Sequence, residues 1–202
     1  MSTDAIIESG MTFGPYPAGQ CFYIEKSACY EKVKAGVQMA EFLLLRQQQE
    51  GPTVWIVEAK SSSPRPETQP NFSEFIDEIR SKLTHSLLLA VAARLQRHPG
   101  AADELPDSFR TLDLKTQGFR FVLVINGHKQ EWLAPLQSAL SLVLKPIVKT
   151  WALPANSVVV LNHELAQKHG LILPAAVPHP RQVASLSKLD DRISPSQNSI
   201  LN

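Results

Sequence analysis

Three side chains near the middle of the chain have the types that could hold a divalent cation and balance the charge around it. Glu41 opens one apolar run, and Glu58 and Lys60 close the next. Carboxylate oxygens are hard ligands suited to divalent cations, and an adjacent ammonium group would help to neutralise the site. Because side chains alternate along a strand, Glu58 and Lys60 share one face. We therefore take Glu41, Glu58 and Lys60 as the candidate site residues.

The pattern from Val37 to Lys60 predicts how these groups meet. Two apolar runs flank a polar break that contains glycine and proline, which is typical of a β-hairpin. A hairpin that reverses about Gln49 and Glu50 would place Glu41 opposite Glu58. Like charges in that position are destabilising, so a bound divalent cation is the expected compensation. The same register pairs Leu45 with Val54 and Leu43 with Ile56.

Composition bounds the class of protein. The chain has 202 residues, of which 44% are hydrophobic, and this suits one domain with some peripheral sequence. A net charge of +1 gives no general footprint for nucleic acid, although a local basic cleft is compatible with it. Cys21 and Cys29 fit neither a metal-ligand spacing nor a disulfide framework, which favours reduced thiols and a cytoplasmic protein. No apolar run is long enough for a membrane span, and the acidic N-terminus is unlike a secretory signal.

The coarse pattern predicts three regions. Residues 1–20 read as an irregular lead-in broken by glycine and proline, residues 21–173 as the folded domain, and residues 174–202 as a polar tail with little structure of its own. Within the domain, strands alternate with helices, which indicates an α/β protein with a sheet flanked by helices. The predicted elements after the hairpin are a helix over 72–96, a polar connection over 98–117, a strand over 119–125, a helix over 132–151 and a strand over 157–161.

The order of these elements, together with the acidic residues, resembles a known superfamily. Glu41 to Leu45, a turn, and then Val57 to Lys60, followed by a helix and a further strand, is similar to the PD-(D/E)XK nucleases, also called restriction-endonuclease-like. The resemblance covers roughly residues 37–125. It departs at the first acid, which in the family is usually aspartate after proline, whereas here Ala40 precedes a glutamate. The stretches EKSACYEKV and EAKSSSPRP also look like bacterial proteins of this architecture.

The resemblance implies a restriction-endonuclease-like mixed central sheet and metal-assisted phosphodiester hydrolysis. It implies that Mg²⁺ or Mn²⁺ is held by Glu41, Glu58 and the backbone carbonyl of Ala59, while Lys60 orients a water or stabilises charge. The expected substrate is nucleic acid, DNA before RNA, in a bacterial defence or repair setting by analogy.

Several further residues are accessory candidates. The family often carries another acid near its N-terminus, a position that Glu25 or Glu31 could fill. Lys82 and His85 lie one turn apart on the predicted helix, although a solvated lysine and a half-buried histidine are the simpler interpretation. Trp132 and Trp151 read as core or interface residues. The remaining candidates, for phosphate contact, are Ser61 and Arg65.

Two other function classes stay open. A catalytically inactive member of the same fold could act as an interaction module, with a protein partner or as a homodimer; the near-neutral charge and the substituted first acid favour this alternative. A nucleotide or small-molecule binding module ranks lower, because no glycine-rich phosphate loop is present.

Overall fold

A central sheet of five strands organises the protein. The computed structural model describes residues 3–48 and 51–172, so the predicted tail over 174–202 lies outside the described residues. The strand order is β3-β4-β5-β6-β7, and β1 and β2 form a separate hairpin. The strands are β1 Ile6–Glu8, β2 Met11–Phe13, β3 Cys21–Phe22, β4 Phe42–Gln48, β5 Gly51–Lys60, β6 Gly118–Ile125 and β7 Val158–Asn162. The helices are α1 Ala28–Glu31, α2 Asn71–Arg94, α3 Ala101–Glu104, α4 Asp107–Arg110, α5 Leu133–Thr150 and α6 His163–Lys168.

The sheet is mixed. β3, β4 and β5 are antiparallel neighbours, whereas β5, β6 and β7 run parallel. The predicted hairpin register is confirmed, since Leu45 pairs with Val54 and Leu43 with Ile56. The parallel steps need crossovers, and the two long helices α2 and α5 supply them.

Each face of the sheet has its own apolar core. Leu43, Ile56 and Leu123 face α2 and α5 and pack with their buried leucines and isoleucines. Phe42 and Trp55 point the other way, as strand alternation requires, and pack with the β1–β2 hairpin and the end of the described chain. The two-sided burial explains why β5 and β6 are almost continuously apolar.

The expectation of an irregular lead-in over residues 1–20 is wrong for its middle part. Ile6 to Phe13 form a hairpin whose two turn residues, Ser9 and Gly10, have φ of 51° and 73°. Positive φ at both central positions is the geometry that two-residue hairpins favour. A Cβ on Gly10 would lie 3.0 Å from the Asn126 side-chain nitrogen, so glycine also permits a close approach to the end of β6.

The predicted connection over 98–117 also needs correction. It contains the short helices α3 and α4, and it buries Leu105 and Phe109, the latter 6.5 Å from the ring of Phe22. The prediction failed because isolated apolar residues in a polar segment show no periodicity. Among the described residues, no helix combines the length and apolarity that crossing a bilayer requires.

Candidate metal centre

Glu41 is fixed at the junction of three elements. It lies just before β4, where its backbone N–H donates to the carbonyl of Val57 at 3.0 Å and its own carbonyl accepts from Glu25 N–H at 3.3 Å. Regular pairing stops at Phe42 and Val57, so the predicted direct pairing of Glu41 with Glu58 is absent from the ladder. The Glu41 residue is 6% exposed, and its position beside the end of β5 nevertheless brings the two carboxylates close.

Two further carboxylates converge on Glu41. Glu25 comes from the 3-10 turn Ile24–Lys26, and Glu8 comes from the end of β1. One carboxylate oxygen from each of Glu8, Glu25 and Glu41 lies within 4.8 Å of the others. We call these three residues the acidic cluster. Three oxygen ligands at this separation match what a hard divalent cation requires.

The convergence of carboxylates changes the pKa of Glu41. Burial raises its pKa to about 9, and the nearby Glu58 and Glu25 add to that rise. Its Oε2 atom is buried and has no hydrogen-bond partner among the described residues. A buried carboxylate in this state must hold a proton or a cation. The acidic cluster therefore fits a divalent ion on its own chemistry.

Glu58 and the two lysines form a second group beside the acidic cluster. Glu58 is fully buried, with its Oε1 atom 2.9 Å from Lys82 Nζ and 3.3 Å from Lys60 Nζ. Lys60 also bonds Glu78 at 2.7 Å, which ties the end of β5 to α2. Burial raises the pKa of Glu58 while both ammonium groups oppose that rise. We call Glu58, Lys60 and Lys82 the lysine-paired group.

The Ala59 carbonyl, expected as a metal ligand, already has one partner. The hydroxyl of Ser9 donates to it at 3.0 Å, and the Asn126 side chain donates to the Ser9 carbonyl at 3.1 Å. The tip of the β1–β2 hairpin is thereby fastened to the ends of β5 and β6. A carbonyl oxygen has two lone pairs, so one remains for another interaction.

The carboxylates that converge in the structure differ from the metal ligands that the family resemblance implies. Glu41 belongs to both, but Glu8 and Glu25 complete the acidic cluster, whereas Glu58 engages two lysines. The resemblance left open whether Glu25 or Glu31 is the additional acid. In the structure Glu25 belongs to the acidic cluster, whereas Glu31 pairs with Lys34 on the surface.

Glu8 was not anticipated from sequence. The available signal was the Ser9-Gly10 dipeptide between two short β-prone runs, which predicts a tight hairpin turn. The groups that contact Glu8 were not predicted from sequence either. The Tyr23 hydroxyl donates to Glu8 Oε1, and Lys26 Nζ lies 3.9 Å from the same oxygen.

The remaining residues that the sequence suggested lie partly at the lysine-paired group and partly away from it. Lys82 reaches Glu58, so the simpler interpretation as a solvated lysine is wrong, while His85 is half-buried and contacts the backbone of Gln38. Ser61 and Arg65 lie in the loop after β5 and line a cavity next to Trp132. Trp132 is 39% exposed, so its interpretation as a core residue is wrong, while its interpretation as an interface residue stays a prediction.

Comparison with known proteins adds no further constraint. No family model matches the chain, and no curated protein or solved structure matches it significantly.

Proposed function

We propose that this protein is a metal-dependent nuclease that hydrolyses phosphodiester bonds in nucleic acid, DNA in particular, on a restriction-endonuclease-like sheet. The observation that carries the proposal is the acidic cluster, with its buried and unpartnered Glu41 oxygen, directly beside the lysine-paired group. Carboxylates that could hold a metal and ammonium groups that could meet a phosphate thus occupy one end of β5.

The residues have distinct roles in this proposal. Glu8, Glu25 and Glu41 would hold the ion, with the free lone pair of the Ala59 carbonyl available to it. A bound Mg²⁺ or Mn²⁺ supplies Lewis acidity and lowers the pKa of a coordinated water. Lys60, whose side chain is 23% exposed, is the ammonium group placed to contact a phosphate oxygen and stabilise its developing charge. Lys82, whose side chain is 15% exposed, pairs with Glu58 from the α2 side, and its ammonium group opposes the rise in the Glu58 pKa that burial causes.

Cleavage assays test this function. The full-length protein is incubated with supercoiled plasmid and with single-stranded DNA in the presence of Mg²⁺ or Mn²⁺, and compared with Glu41→Gln and Lys60→Ala. The exposed Glu31, which pairs with Lys34 and is not part of the acidic cluster, provides the control Glu31→Gln. The proposal requires cutting by the wild type and by the control but not by the other two variants. No cutting by the wild type, or equal cutting by all four, would end it.

A second candidate function is an inactive nuclease-like subunit that acts as an interaction module. The observation that favours it is the pairing of Glu58 with two lysines, which neutralises that carboxylate without any metal. Calorimetry with Mn²⁺ separates the two candidates, because an inactive subunit needs no ion in the acidic cluster.

A further inference from the structure

A cavity of about 490 Å³ opens directly beyond Lys60. Its walls are the loop after β5, residues 61–67, and the segment after β6, residues 126–136. This is the carboxyl end of parallel strands, where open α/β sheets bind their ligands. The volume is within the range of small-molecule sites. We call this cavity the β5–β6 pocket.

An exposed tryptophan forms one wall of the β5–β6 pocket. Trp132 is 39% exposed, and the guanidinium carbon of Arg65 lies 5.4 Å from its ring centroid. Lys129 Nζ lies 5.1 Å from the same centroid, and the His128 ring meets it edge-on at 5.3 Å. An aromatic surface flanked by cations is how proteins bind an unpaired base and its phosphate together.

The other lining groups argue against a bare anion as the ligand. Two carboxylates, Glu67 and Glu131, line the pocket together with Arg65, and Pro135 and Leu136 make part of the wall apolar. An inorganic phosphate would be repelled by the carboxylates and would leave the apolar surface unused. A nucleotide presents amino groups, a planar ring and a phosphate, and so it can satisfy all three kinds of surface.

We propose that the β5–β6 pocket seats one unpaired nucleotide of a single-stranded DNA. The base lies beside Trp132, and its phosphate contacts Arg65 and the hydroxyl of Ser61 or Ser63. Its placement next to a scissile phosphate rests on the proposed function, because Ser61 directly follows Lys60. A paired base within a duplex is stacked on both sides and cannot enter, so the substrate class is single-stranded or locally unpaired DNA.

Binding measured without metal tests the pocket independently of cleavage. Fluorescence anisotropy of a labelled single strand of about 12 nucleotides is followed in the presence of EDTA with the full-length protein. We expect Trp132→Ala to weaken binding by about tenfold or more, because stacking on one aromatic side chain contributes that much. Arg65→Ala, at an exposed position, is a second variant in the same pocket and should also weaken binding. Leu142→Ala is the control, since Leu142 is 69% exposed on α5 and lines no part of this pocket.

Each alternative result has a defined meaning. Unchanged affinity in both Trp132→Ala and Arg65→Ala would overturn the proposal. So would equal affinity for the blunt duplex of the same sequence, or equal affinity for a free mononucleotide, which would indicate a soluble nucleotide as the ligand. If the protein binds single strands through Trp132 yet cuts nothing with metal, the pocket stands and the proposed nuclease function falls.

Discussion

The two ends of β4 each gather like charges, and the protein treats them differently. At the start of the strand, Glu41 meets the carboxylates of Glu8 and Glu25. Near its other end, Arg46 and Arg120 both lie over the ring of Trp55, at 4.7 and 5.2 Å from its centroid. Neither arginine has a carboxylate within 4.0 Å among the described residues.

Burial separates the two cases. The arginines are half-buried and use the tryptophan ring as a partner, so although burial and mutual repulsion lower the pKa of Arg46, both stay charged. Glu41 is buried and has an unpartnered oxygen, so its carboxyl keeps a proton at neutral pH unless a cation replaces it. A cluster of like charges that is partly exposed does not need a bound ligand, as the two arginines show. Glu41 combines like charge with burial, and for this reason the proposed metal site is at the acidic end.

The largest expected effect is loss of cleavage at the acidic end. Glu41→Gln and Lys60→Ala should each reduce the cleavage rate by about 10³-fold or more, since the first removes a proposed metal ligand and the second removes the ammonium group beside the reacting phosphate. Arg120→Gln, at the other end, should retain cleavage within about tenfold, because it affects binding alone. Plasmid nicking rates at saturating Mg²⁺ check this. Comparable losses in all three variants would remove the distinction between the two ends.

The next effect is on metal binding and stability. Glu41→Gln should weaken Mn²⁺ binding by more than about 100-fold, since even indirect partners of a metal contribute 10- to 100-fold. In the metal-free protein it should raise the free energy of unfolding at pH 8 by about 1–3 kcal/mol, because at that pH the wild type must take up a proton at Glu41 on folding and the glutamine does not. Calorimetry and urea unfolding in EDTA measure these quantities. The control is Glu31→Gln, and a Glu41→Gln protein less stable than this control would contradict the account.

The pH dependence follows from the raised pKa of Glu41. The unfolded chain releases this proton near the ordinary value of 4.5, and the folded chain keeps it until about pH 9. The folded state thus binds more protons in this window, so metal-free stability should fall as pH rises from 4.5 to 9. Mn²⁺ must displace the same proton, so its affinity should rise by up to about tenfold per pH unit below 9. In Glu41→Gln, the pH dependence of metal-free stability and that of Mn²⁺ affinity should both weaken. Urea unfolding and Mn²⁺ titrations at several pH values measure them.

The smallest effect belongs to the arginine end. If these cations contact the phosphate backbone of bound DNA, Arg46→Gln or Arg120→Gln should weaken single-strand binding by about two- to fivefold at 0.1 M salt. The slope of log affinity against log salt should fall by about one for each lost contact. Anisotropy titrations at several salt concentrations measure it. An unchanged slope in both variants would remove the arginines from the DNA path.

Strong local patterns made much of the fold predictable. The register of β4 and β5 followed from two apolar runs about a short polar break, and the long helices followed from apolar residues spaced three and four apart. The start of α2 did not, because Pro70 occupies the cap position without a side-chain hydrogen bond, so no capping side chain marks the first turn.

The site was harder to predict because its parts come from separate elements. Glu41 and Lys60 were accessible through the hairpin, but Glu8 arrives by a three-residue strand that carries almost no periodic signal. Lys82 required knowing which turn of α2 lies over Glu58. The exposure of Trp132 depends on where the loop after β5 passes, which no local pattern specifies.

Diffraction from crystals soaked in millimolar Mn²⁺, collected with anomalous scattering, tests the central claim most directly. The account predicts one peak at the acidic cluster, within about 2.3 Å of oxygens from Glu25 and Glu41, and its loss in Glu41→Gln. A protein with no peak there, or with its peak away from the acidic cluster, would contradict it.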